Sequence, residues 1–289
     1  MTFHKYQGAG NDFILVDNRD GRIAYPDGIL KWTDAVHGER RMSVAQICDR
    51  RYGVGADGMM LLESSSVADF RMVYFNSDGS GGMMCGNGGR CIAAFAADLG
   101  LLSFRFEAAD GLHEAEILHA DSLSKTIRLK MKDVSEWVHY DRLSGPAVPS
   151  DGYFLDTGTR HFVRFVDSVG SFPVAEQGRD IRFHAQELLP VGANVNFVEP
   201  TEGGIRVRTY EKGVEDETFA CGTGIVASAI ASYLAGVCPS SQEDGRVRYD
   251  VSAKRDALAV DFIPSVDGKS FRDVRLTGPA VQVASFVIP

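Results

Sequence analysis

The chain has 289 residues, with 30 lysines and arginines against 39 aspartates and glutamates, and a formal net charge of -9. Its length favours two domains of about 150 residues over one. Because the basic residues are scattered and the net charge is negative, nucleic acid and anionic membranes are poor candidate partners. The first six residues do not resemble a signal peptide, and the longest apolar stretch, 225–237, is too short to span a bilayer. We therefore expect a soluble, cytoplasmic protein.

Short apolar or alternating runs, rich in Val, Ile, Phe, Tyr and Thr, recur along the chain and predict strands. Because only occasional helical segments separate them, sheets of mostly antiparallel neighbours are favoured over a doubly wound parallel sheet. The runs lie at 13–17, 59–63, 70–75, 125–130, 161–166, 194–198, 205–210, 247–251 and 258–262.

Two alanine-rich segments, 89–99 and 225–235, are apolar around most of their circumference, and this pattern predicts buried helices. The same short phrase precedes both: Cys-Gly-Asn-Gly at 85–88 and Cys-Gly-Thr-Gly at 221–224. The repetition indicates a weak internal duplication with an offset of 136 residues. We expect an α+β fold of two similar domains, each a curved, antiparallel-rich sheet wrapped around one buried helix.

A polar stretch at 131–150, which carries Pro146 and Pro149, predicts the domain boundary. The predicted N-terminal domain is 1–130 and the predicted C-terminal domain is 131–276. A similar offset of 137 residues aligns Val-Gly-Ala-Asp in the first domain with Val-Gly-Ala-Asn in the second, in agreement with a duplication.

Glycines directly before a helix let its backbone come close to a ligand. The N–H groups of the first helical turn lack partners within the helix and lie at the positive end of its dipole, so a helix start of this kind binds an anion such as a carboxylate. The same field lowers the pKa of a cysteine placed there. A thiolate beside a bound amino acid can remove the α proton, and N–H donors aimed at the carboxylate stabilise the carbanion that forms.

Inversion of the α carbon needs a second acid on the opposite face, and a thiol from the other domain supplies it. Cys85 and Cys221 are therefore the predicted catalytic pair, with each sulfur about 3.5 Å from the carbon. The prediction rests on the pair, because a single cysteine beside Gly-x-Gly is more often a buried core residue. Cys48, Cys91 and Cys238 lack this setting and are expected in the core. The odd set of five cysteines supports neither a disulfide framework nor a metal site.

Further phrases complete a resemblance to the diaminopimelate epimerase family. Gly-Ala-Gly-Asn-Asp-Phe lies at 8–13, and Phe-Asn-Ser-Asp-Gly-Ser lies at 75–80. Asn-Val-Asn-Phe at 194–197 and Arg-Thr-Tyr-Glu-Lys-Gly at 208–213 precede Glu-Thr-Phe-Ala-Cys-Gly-Thr-Gly at 217–224. The motifs keep the family's order from about residue 3 to the C-terminus.

The resemblance implies an epimerase without pyridoxal phosphate or another cofactor, interconverting L,L- and meso-diaminopimelate in lysine and peptidoglycan precursor synthesis. It also implies two pseudo-symmetric α+β domains, each a barrel-like sheet around a central helix, with the active site in the interdomain cleft. In such a protein the last strand, about 277–289, completes the first domain. The small-molecule amino acid is the expected partner, and a homodimer is left open.

The resemblance also implies roles for individual residues. Three asparagines match positions that bind substrate, the residues after each cysteine match a backbone carboxylate site, and His161 and Glu211 match polar neighbours of the cysteines that help thiols exchange protons. Ordinary structural roles stay open for all of them, because asparagines also form turns and a strand can bury a histidine. The predicted substrate contacts are Asn11, Asn76, Gly86, Asn87, Thr159, Asn194, Glu211, Lys212, Gly222 and Thr223.

Three positions depart from the family's pattern. Lys212 stands where an arginine is usual, Thr159-Arg160-His161 replaces a common Asn-Pro-His, and Gly58 stands where some members carry glutamine. Lysine keeps the charge of arginine but loses its bidentate fork. We expect these changes to affect distal substrate contacts more than the cysteines.

Three other functions stay open on the sequence alone. The first is an isomerase of the same architecture, such as one resembling proline or hydroxyproline racemases or the phenazine-pathway isomerases, although two cysteines argue against the last. The second is a thiol redox protein that uses Cys85 and Cys221 as a reversible disulfide. The third is a non-catalytic module that binds an amino acid.

Overall fold

The computed structural model describes residues 1–34, 38–82, 84–148 and 150–288. Pro149, one of the two prolines in the predicted boundary, lies outside these ranges. The chain divides into two compact units. Unit 1 contains Met1–Leu129 and Pro279–Pro289, and unit 2 contains Lys130–Gly278.

The described residues are mostly sheet with few helices, in agreement with the α+β expectation. The strands are β1 (Thr2–Gly8), β2 (Asn11–Asp17), β3 (Ile29–Asp34), β4 (Gly38–Ser43), β5 (Gly58–Glu63), β6 (Phe70–Asn76), β7 (Arg105–Ala108), β8 (Gly111–Ala120), β9 (Ser124–Lys130), β10 (Trp137–Tyr140), β11 (Gly152–Asp156), β12 (Arg160–Phe165), β13 (Asn194–Thr201), β14 (Gly204–Glu211), β15 (Asp216–Thr218), β16 (Ser241–Glu243), β17 (Arg246–Ser252), β18 (Ala257–Pro264) and β19 (Phe271–Val287). The helices are α1 (Val44–Cys48), α2 (Gly86–Asp98), α3 (Val174–His184) and α4 (Gly222–Leu234), with a 3₁₀ turn at Pro26–Gly28.

Unit 1 is an eight-stranded barrel. Its strands are hydrogen-bonded in the order β19, β1, β2, β5, β6, β7, β8 and β9, and β9 pairs with β19 to close the ring. The β2–β5 and β6–β7 pairs are parallel. In the first of these connections, β3 and β4 form a separate two-stranded sheet, and in the second the chain forms α2.

The strands of unit 2 are hydrogen-bonded in an order that matches that of unit 1. Its order is β10, β11, β12, β13, β14, β17, β18 and the first part of β19. The β12–β13 and β14–β17 pairs are parallel, and α4 lies in the second of these connections. Within each unit a long helix therefore lies between the fifth and sixth strands of this order. The strand β19 supplies residues 271–278 to unit 2 and 279–287 to unit 1.

The strand and helix predictions agree well with these elements. Eight of the nine predicted runs lie within strands, and the ninth, 161–166, passes the end of β12 by one residue. The two predicted buried helices are α2 and α4, each of which starts three residues earlier than the alanine-rich pattern. Residues 86–96 of α2 are buried, as are residues 222–232 of α4 except Thr223. Helix α2 packs against β1, β2, β5 and β8, and α4 packs against β11–β14, β17 and β18.

The close approach of β1 to α2 explains the first glycine of the phrase at 8–13. A Cβ atom on Gly8 would lie 3.0 Å from the carbonyl oxygen of Asn87 and 3.1 Å from Cys91 Sγ. Ala9 and Gly10 have φ values of 52° and 94° and make the tight turn between β1 and β2. This turn delivers Asn11 to the first position of β2.

The expectation for the three remaining cysteines is right for two and wrong for one. Cys48 and Cys91 are buried, and burial raises the pKa of both thiols, that of Cys48 to about 12. Cys238 is exposed, because it lies after the end of α4 in the turn toward β16, where its Sγ is 3.7 Å from the carbonyl oxygen of Pro239.

In the described part of the chain, no helix combines the length and apolar character needed to cross a membrane.

Candidate active site

Cys85 is the N-cap of α2. Its backbone is extended, with φ of -114° and ψ of 152°, and its Sγ accepts a hydrogen bond from the N–H of Gly88 at 3.2 Å. A cysteine thus takes the place of the serine or aspartate that usually caps a helix. A sulfur in this position lies at the positive end of the helix dipole, which favours its thiolate form.

A chain of amide groups joins the start of α2 to the barrel of unit 1. Asn87 Nδ2 donates to Asn11 Oδ1 at 2.6 Å, and Asn11 Nδ2 donates to Asp57 Oδ2 at 2.9 Å. Both predicted substrate-binding amides therefore also hold the helix start in place. Gly86, the other predicted residue here, is buried on the first turn.

Arg90 lies next to these hydrogen-bonded amides and is fully buried. Its guanidinium donates to Asn87 Oδ1 at 2.8 Å, to the carbonyl oxygen of Gly86 at 3.2 Å and to that of Pro279 at 3.2 Å. A buried cation needs this many acceptors because burial removes its water. The arginine therefore holds the first turn of α2 in place through Gly86 and Asn87.

At its other end, the amide chain reaches a charged group. Asp57 Oδ1 accepts from Arg50 at 2.7 Å, and Arg50 also binds both carboxylate oxygens of Asp12. Burial opposes ionisation of Asp12, but hydrogen bonds from Arg50 and Lys5 hold its pKa below the ordinary value. Asp57 is therefore held between Arg50 and Asn11.

Tyr74 is a neighbour of Cys85 that sequence reasoning missed. Burial raises its pKa, and the charge of the nearby Cys85 thiolate raises it further. Its ring covers Gly58, where an added Cβ would lie 2.5 Å from Tyr74 Cε2, and Gly82, where it would lie 2.2 Å from Cδ1. At position 58, where some family members carry glutamine, the ring of Tyr74 therefore fills the space that a side chain would need.

Asn76, at the end of β6, is held in a turn. Its Nδ2 donates to Ser80 Oγ at 3.0 Å, and its backbone N–H donates to the carbonyl oxygen of Ser80 at 2.9 Å. The sequence predicts either a turn or a substrate contact at Asn76, and these bonds form a turn.

In unit 2, Cys221 stands at the N-cap of α4, with an extended backbone and a buried side chain. Its Sγ lies 3.4 Å from Thr223 Oγ1. Thr223 Oγ1 in turn lies 2.9 Å from His161 Nε2 and 3.0 Å from Thr159 Oγ1. The backbone of Thr223 is also fixed, because its carbonyl oxygen accepts from Thr157 Oγ1 at 3.0 Å.

His161 is fully buried, and burial lowers its pKa to about 3. It is therefore neutral at physiological pH. Its Nδ1 faces Asn196 Nδ2 at 3.1 Å, and its Nε2 faces Thr159 Oγ1 and Thr223 Oγ1, both at 2.9 Å. Histidine, threonines and cysteine thus form one connected group.

The remaining predicted residues of unit 2 lie beside this group. Asn194 Oδ1 accepts from the N–H of Lys212 at 2.8 Å, and its Nδ2 donates to the carbonyl oxygen of Arg160 at 3.1 Å. The Lys212 side chain is exposed, and Glu211 is half-buried at the end of β14. Gly222 is buried in the first turn of α4.

The structure therefore gathers the predicted residues into two local groups. Asn11, Gly86 and Asn87 surround the start of α2, and Thr159, His161, Asn194, Lys212 and Thr223 surround the start of α4. Residues missed were Tyr74, Arg90 and Asn196. A signal existed for two of them: an arginine inside an apolar helix needs buried partners, and Asn196 shares a strand face with Asn194.

No group of three or more His, Cys, Asp or Glu side chains suited to a metal ion occurs among the described residues. At each helix start, amides, hydroxyls or backbone N–H groups accompany the charged and imidazole groups, and such neutral groups suit a carboxylate or an ammonium.

Solved structures identify the fold. The chain is similar to a phenazine biosynthesis protein of the PhzF family from Bacillus anthracis, with a TM-score of 0.66 and 16% identity over 100% of this chain and 99% of that chain. It is also similar to a probable proline racemase from Agrobacterium radiobacter, with a TM-score of 0.65 and 14% identity over 100% and 92% of the two chains. The fold is thus that of the phenazine biosynthesis proteins and proline racemases.

Sequence relatives are more specific. The diaminopimelate epimerase family model matches residues 3–135 and 153–253. Diaminopimelate epimerase of Flavobacterium psychrophilum is 39% identical over 97% of this chain and 97% of its own length. That of Chlorobaculum tepidum is 41% identical over 96% of both chains. The chain belongs to the diaminopimelate epimerase family, and the resemblance seen in its motifs is confirmed.

Proposed function

We propose that this enzyme interconverts L,L- and meso-diaminopimelate, the activity that its relatives' names give, by a two-base mechanism. One cysteine thiolate takes the α hydrogen as a proton, and the electron pair left behind spreads into the carboxylate. The other cysteine thiol gives its proton to the opposite face of the carbon. The thiolate and thiol have then exchanged roles, and no pyridoxal phosphate is needed.

The observation that carries this proposal is the repeated position of the cysteine. Cys85 and Cys221 each cap a buried helix that lies between the fifth and sixth strands of matching strand orders. At both places the chain continues with glycine, so first-turn N–H groups can approach a carboxylate closely. These donors stabilise the carbanion more than the neutral amino acid, since the charge on the carboxylate grows as the proton leaves.

The proposed active site draws one sulfur from each unit. We propose that each unit is one epimerase domain, 1–130 completed by 277–289 and then 131–276, with its sheet curved around its helix. The proposed partner is the free amino acid, in the cytoplasm, and a homodimer stays open. The proposed substrate contacts are Asn11, Asn76, Gly86, Asn87, Thr159, Asn194, Glu211, Lys212, Gly222 and Thr223, with His161 and Glu211 assisting the thiols.

Lys212 supports a specific role within this set. Its side chain is exposed, while its backbone is fixed by Asn194 Oδ1 at 2.8 Å. The ammonium can therefore move to meet a substrate carboxylate while its point of attachment stays in place. As a point charge it neutralises a carboxylate without the two parallel bonds of arginine.

The test is an epimerisation assay with L,L-diaminopimelate under reducing conditions, following the appearance of the meso isomer. We expect Cys85→Ser and Cys221→Ser each to lower the turnover number by a factor on the order of 10³ or more, because each removes a group that transfers a proton. Cys238→Ser is the matched control, because this thiol is exposed after the end of α4. It should retain full activity.

Other outcomes would support the rival functions. Full activity in either active-site variant refutes the two-base assignment. Turnover of proline or hydroxyproline instead of diaminopimelate would identify a racemase with another substrate. Reduction by dithiols without turnover of any amino acid would identify a redox protein, and binding of diaminopimelate without epimerisation would identify a binding module.

A further inference from the structure

The side-chain amide of Asn196 has one orientation that satisfies its neighbours. It is fully buried; its Nδ2 lies 3.2 Å from the carbonyl oxygen of Phe162, and its Oδ1 accepts from Thr209 Oγ1 at 2.9 Å. Turning the amide over would place its oxygen against the carbonyl oxygen of Phe162, and neither oxygen has a proton to give. The nitrogen of Asn196 therefore points at His161.

This orientation determines which ring nitrogen of His161 carries the proton. Asn196 Nδ2 lies 3.1 Å from His161 Nδ1 and brings a proton to it, so Nδ1 must accept with its lone pair. Neutral imidazole has one N–H, and it then belongs to Nε2. Asn194 Nδ2 is 3.5 Å from Nε2, at the outer limit of a hydrogen bond, and gives its better bond to the carbonyl oxygen of Arg160 at 3.1 Å.

The N–H at Nε2 has two acceptors, the hydroxyl oxygens of Thr159 and Thr223, both at 2.9 Å. These two oxygens are 3.0 Å apart, so the histidine can donate to Thr223 directly or through Thr159. In both arrangements Thr223 Oγ1 receives a proton from the histidine side. Its own hydroxyl proton is then available to Cys221 Sγ, 3.4 Å away.

We propose that Asn196 and Thr223 are positioning residues that turn neutral His161 into a hydrogen-bond donor and direct its effect through the Thr223 hydroxyl onto the sulfur of Cys221. The chain of donors runs from Asn196 to His161 to Thr223 to Cys221. It stabilises the thiolate of Cys221, because hydrogen bonds to a charged acceptor are stronger than those to a neutral one.

This inference deepens the proposed function, on which its catalytic meaning rests. It also changes the role expected for His161. A histidine whose lone pair is taken by Asn196 does not act as a base toward the thiol. Low pKa from burial agrees with a ring that stays neutral and donates.

The tautomer can be measured directly. In protein labelled with ¹⁵N-histidine, two-bond proton–nitrogen spectra distinguish the N–H at Nε2 from the N–H at Nδ1, and His161→Asn identifies the signals of His161 among the seven histidines. We expect the Nε2–H tautomer in the wild type. The Nδ1–H tautomer would overturn the proposal.

The effect on the sulfur is measured by alkylation. Iodoacetamide reacts with thiolates, and mass spectrometry of peptides follows Cys221 and Cys85 in one sample. Thr223→Val keeps the shape but removes the hydroxyl, and should slow alkylation of Cys221 relative to Cys85 by about tenfold, the effect of losing one hydrogen bond to a charged group. Thr223→Ser should restore it.

Ser232→Ala is the matched control, since it removes a buried hydroxyl of α4 that donates to the carbonyl oxygen of Ser228 at 2.8 Å. It should leave the alkylation ratio unchanged. An unchanged ratio in Thr223→Val, or a slowed one in Thr223→Ser, would overturn the proposal.

Neither measurement uses substrate, so the experiments can refute the proposed function and the proposed series of hydrogen bonds separately. Loss of epimerase activity in every assay, with the expected tautomer and alkylation pattern, would refute the function alone. If the enzyme is active, Thr223→Val should lower kcat more than it changes KM, because the hydroxyl acts on the sulfur rather than on the substrate.

Discussion

The two cysteines begin equivalent helices, but different residues lie behind them. A Cβ atom on Gly88 would lie 2.9 Å from Met60 Cε and 3.7 Å from Phe13 Cζ, whereas one on Gly224 would lie 2.3 Å from Asn196 Oδ1 and 3.2 Å from His161 Cε1. The layer behind Cys85 is thus apolar and that behind Cys221 is polar.

The strand pairing shows that these are matching positions. Phe13 pairs with Gly58 across β2 and β5, and His161 pairs with Asn194 across β12 and β13. Two residues further along β5 and β13 lie Met60 and Asn196. The two units share the cysteine at the N-cap of a buried helix, while the side chains behind the sulfur differ.

The first turns of α2 and α4 are also held by different groups, and here the charged group belongs to unit 1. Arg90 lies inside α2 and binds the carbonyl oxygen of Gly86, whereas the residue 136 positions later in α4 is the apolar Val226. Unit 1 thus fixes its helix start with a cation in the helix, and unit 2 fixes its own with polar side chains from β12 and the turn that precedes it. In the proposed reaction, the two sulfurs have equal roles in unequal surroundings.

Removing the cation should have the largest effect on stability. Arg90→Met removes the guanidinium that donates to Asn87 Oδ1 and to two backbone carbonyl oxygens, and we expect a loss of about 3 kcal/mol in the free energy of unfolding. Urea titration measures it. Arg71→Met, at an exposed position of β6, is the control and should change stability by less than about 0.5 kcal/mol. Equal losses in the two variants would contradict the role of Arg90.

The polar layer of unit 2 should make stability depend on pH. His161 has a pKa of about 3 when folded, against 6.5 for a histidine in water. The unfolded chain therefore binds a proton first as pH falls, and the contribution of this residue is present above pH 6.5 and lost below it. Between pH 6.5 and 5 the loss should be about 2 kcal/mol. In His161→Asn this loss between pH 6.5 and 5 should disappear, so the free energy of unfolding should depend less steeply on pH. An unchanged slope would show that the ring is not buried as a neutral group.

The two glycines allow a direct comparison of the layers. We expect Gly224→Ala to cost about 2 kcal/mol, because Asn196 Oδ1 is fixed by Thr209 and cannot retreat. Gly88→Ala should cost about 1 kcal/mol or less, since the terminal carbon of Met60 can move and alanine favours a helix. Thermal unfolding of both variants checks the order. A larger loss in Gly88→Ala would show that the apolar layer is the tighter one.

The smallest effect is expected at Lys212. Lys212→Arg adds a fork that can bind a carboxylate through two parallel bonds. If this side chain meets the substrate, KM should fall about threefold with kcat nearly unchanged, the pattern of a contact made equally in ground and transition state. Steady-state kinetics measure both constants. Lys254→Arg, an exposed lysine of the same unit paired with Glu217, serves as the control and should leave both constants unchanged.

Local patterns in the sequence identified most of the elements near the site. Short apolar or alternating runs predicted β5, β12 and β13, and alanine-rich segments after Cys-Gly predicted α2 and α4. The amphipathic α3 was missed, because charged residues and Gly178 interrupt its apolar pattern. The exposed strand β8 was missed for a similar reason, since its residues are too polar to stand out.

The support of the cysteines was harder to predict because it comes from distant parts of the chain. Arg90 binds a carbonyl group 189 residues away, and Asn196 meets a histidine 35 residues earlier. Such contacts depend on which strands become neighbours, and a single sequence does not show this. The family resemblance predicted His161 and Thr223 as site residues, but only their geometry shows which atom donates to which.

The most direct test of the central claim, that two thiols act on opposite faces of one carbon, is the fate of the α hydrogen in deuterated water. The wild-type enzyme is given L,L-diaminopimelate, and the deuterium content of substrate and product is measured during the first few per cent of turnover. A two-thiol mechanism predicts that the meso product carries solvent deuterium at the inverted carbon while the remaining substrate keeps its hydrogen. Product that retains the substrate's own hydrogen would show that a single group removes and returns the proton, and would contradict the account.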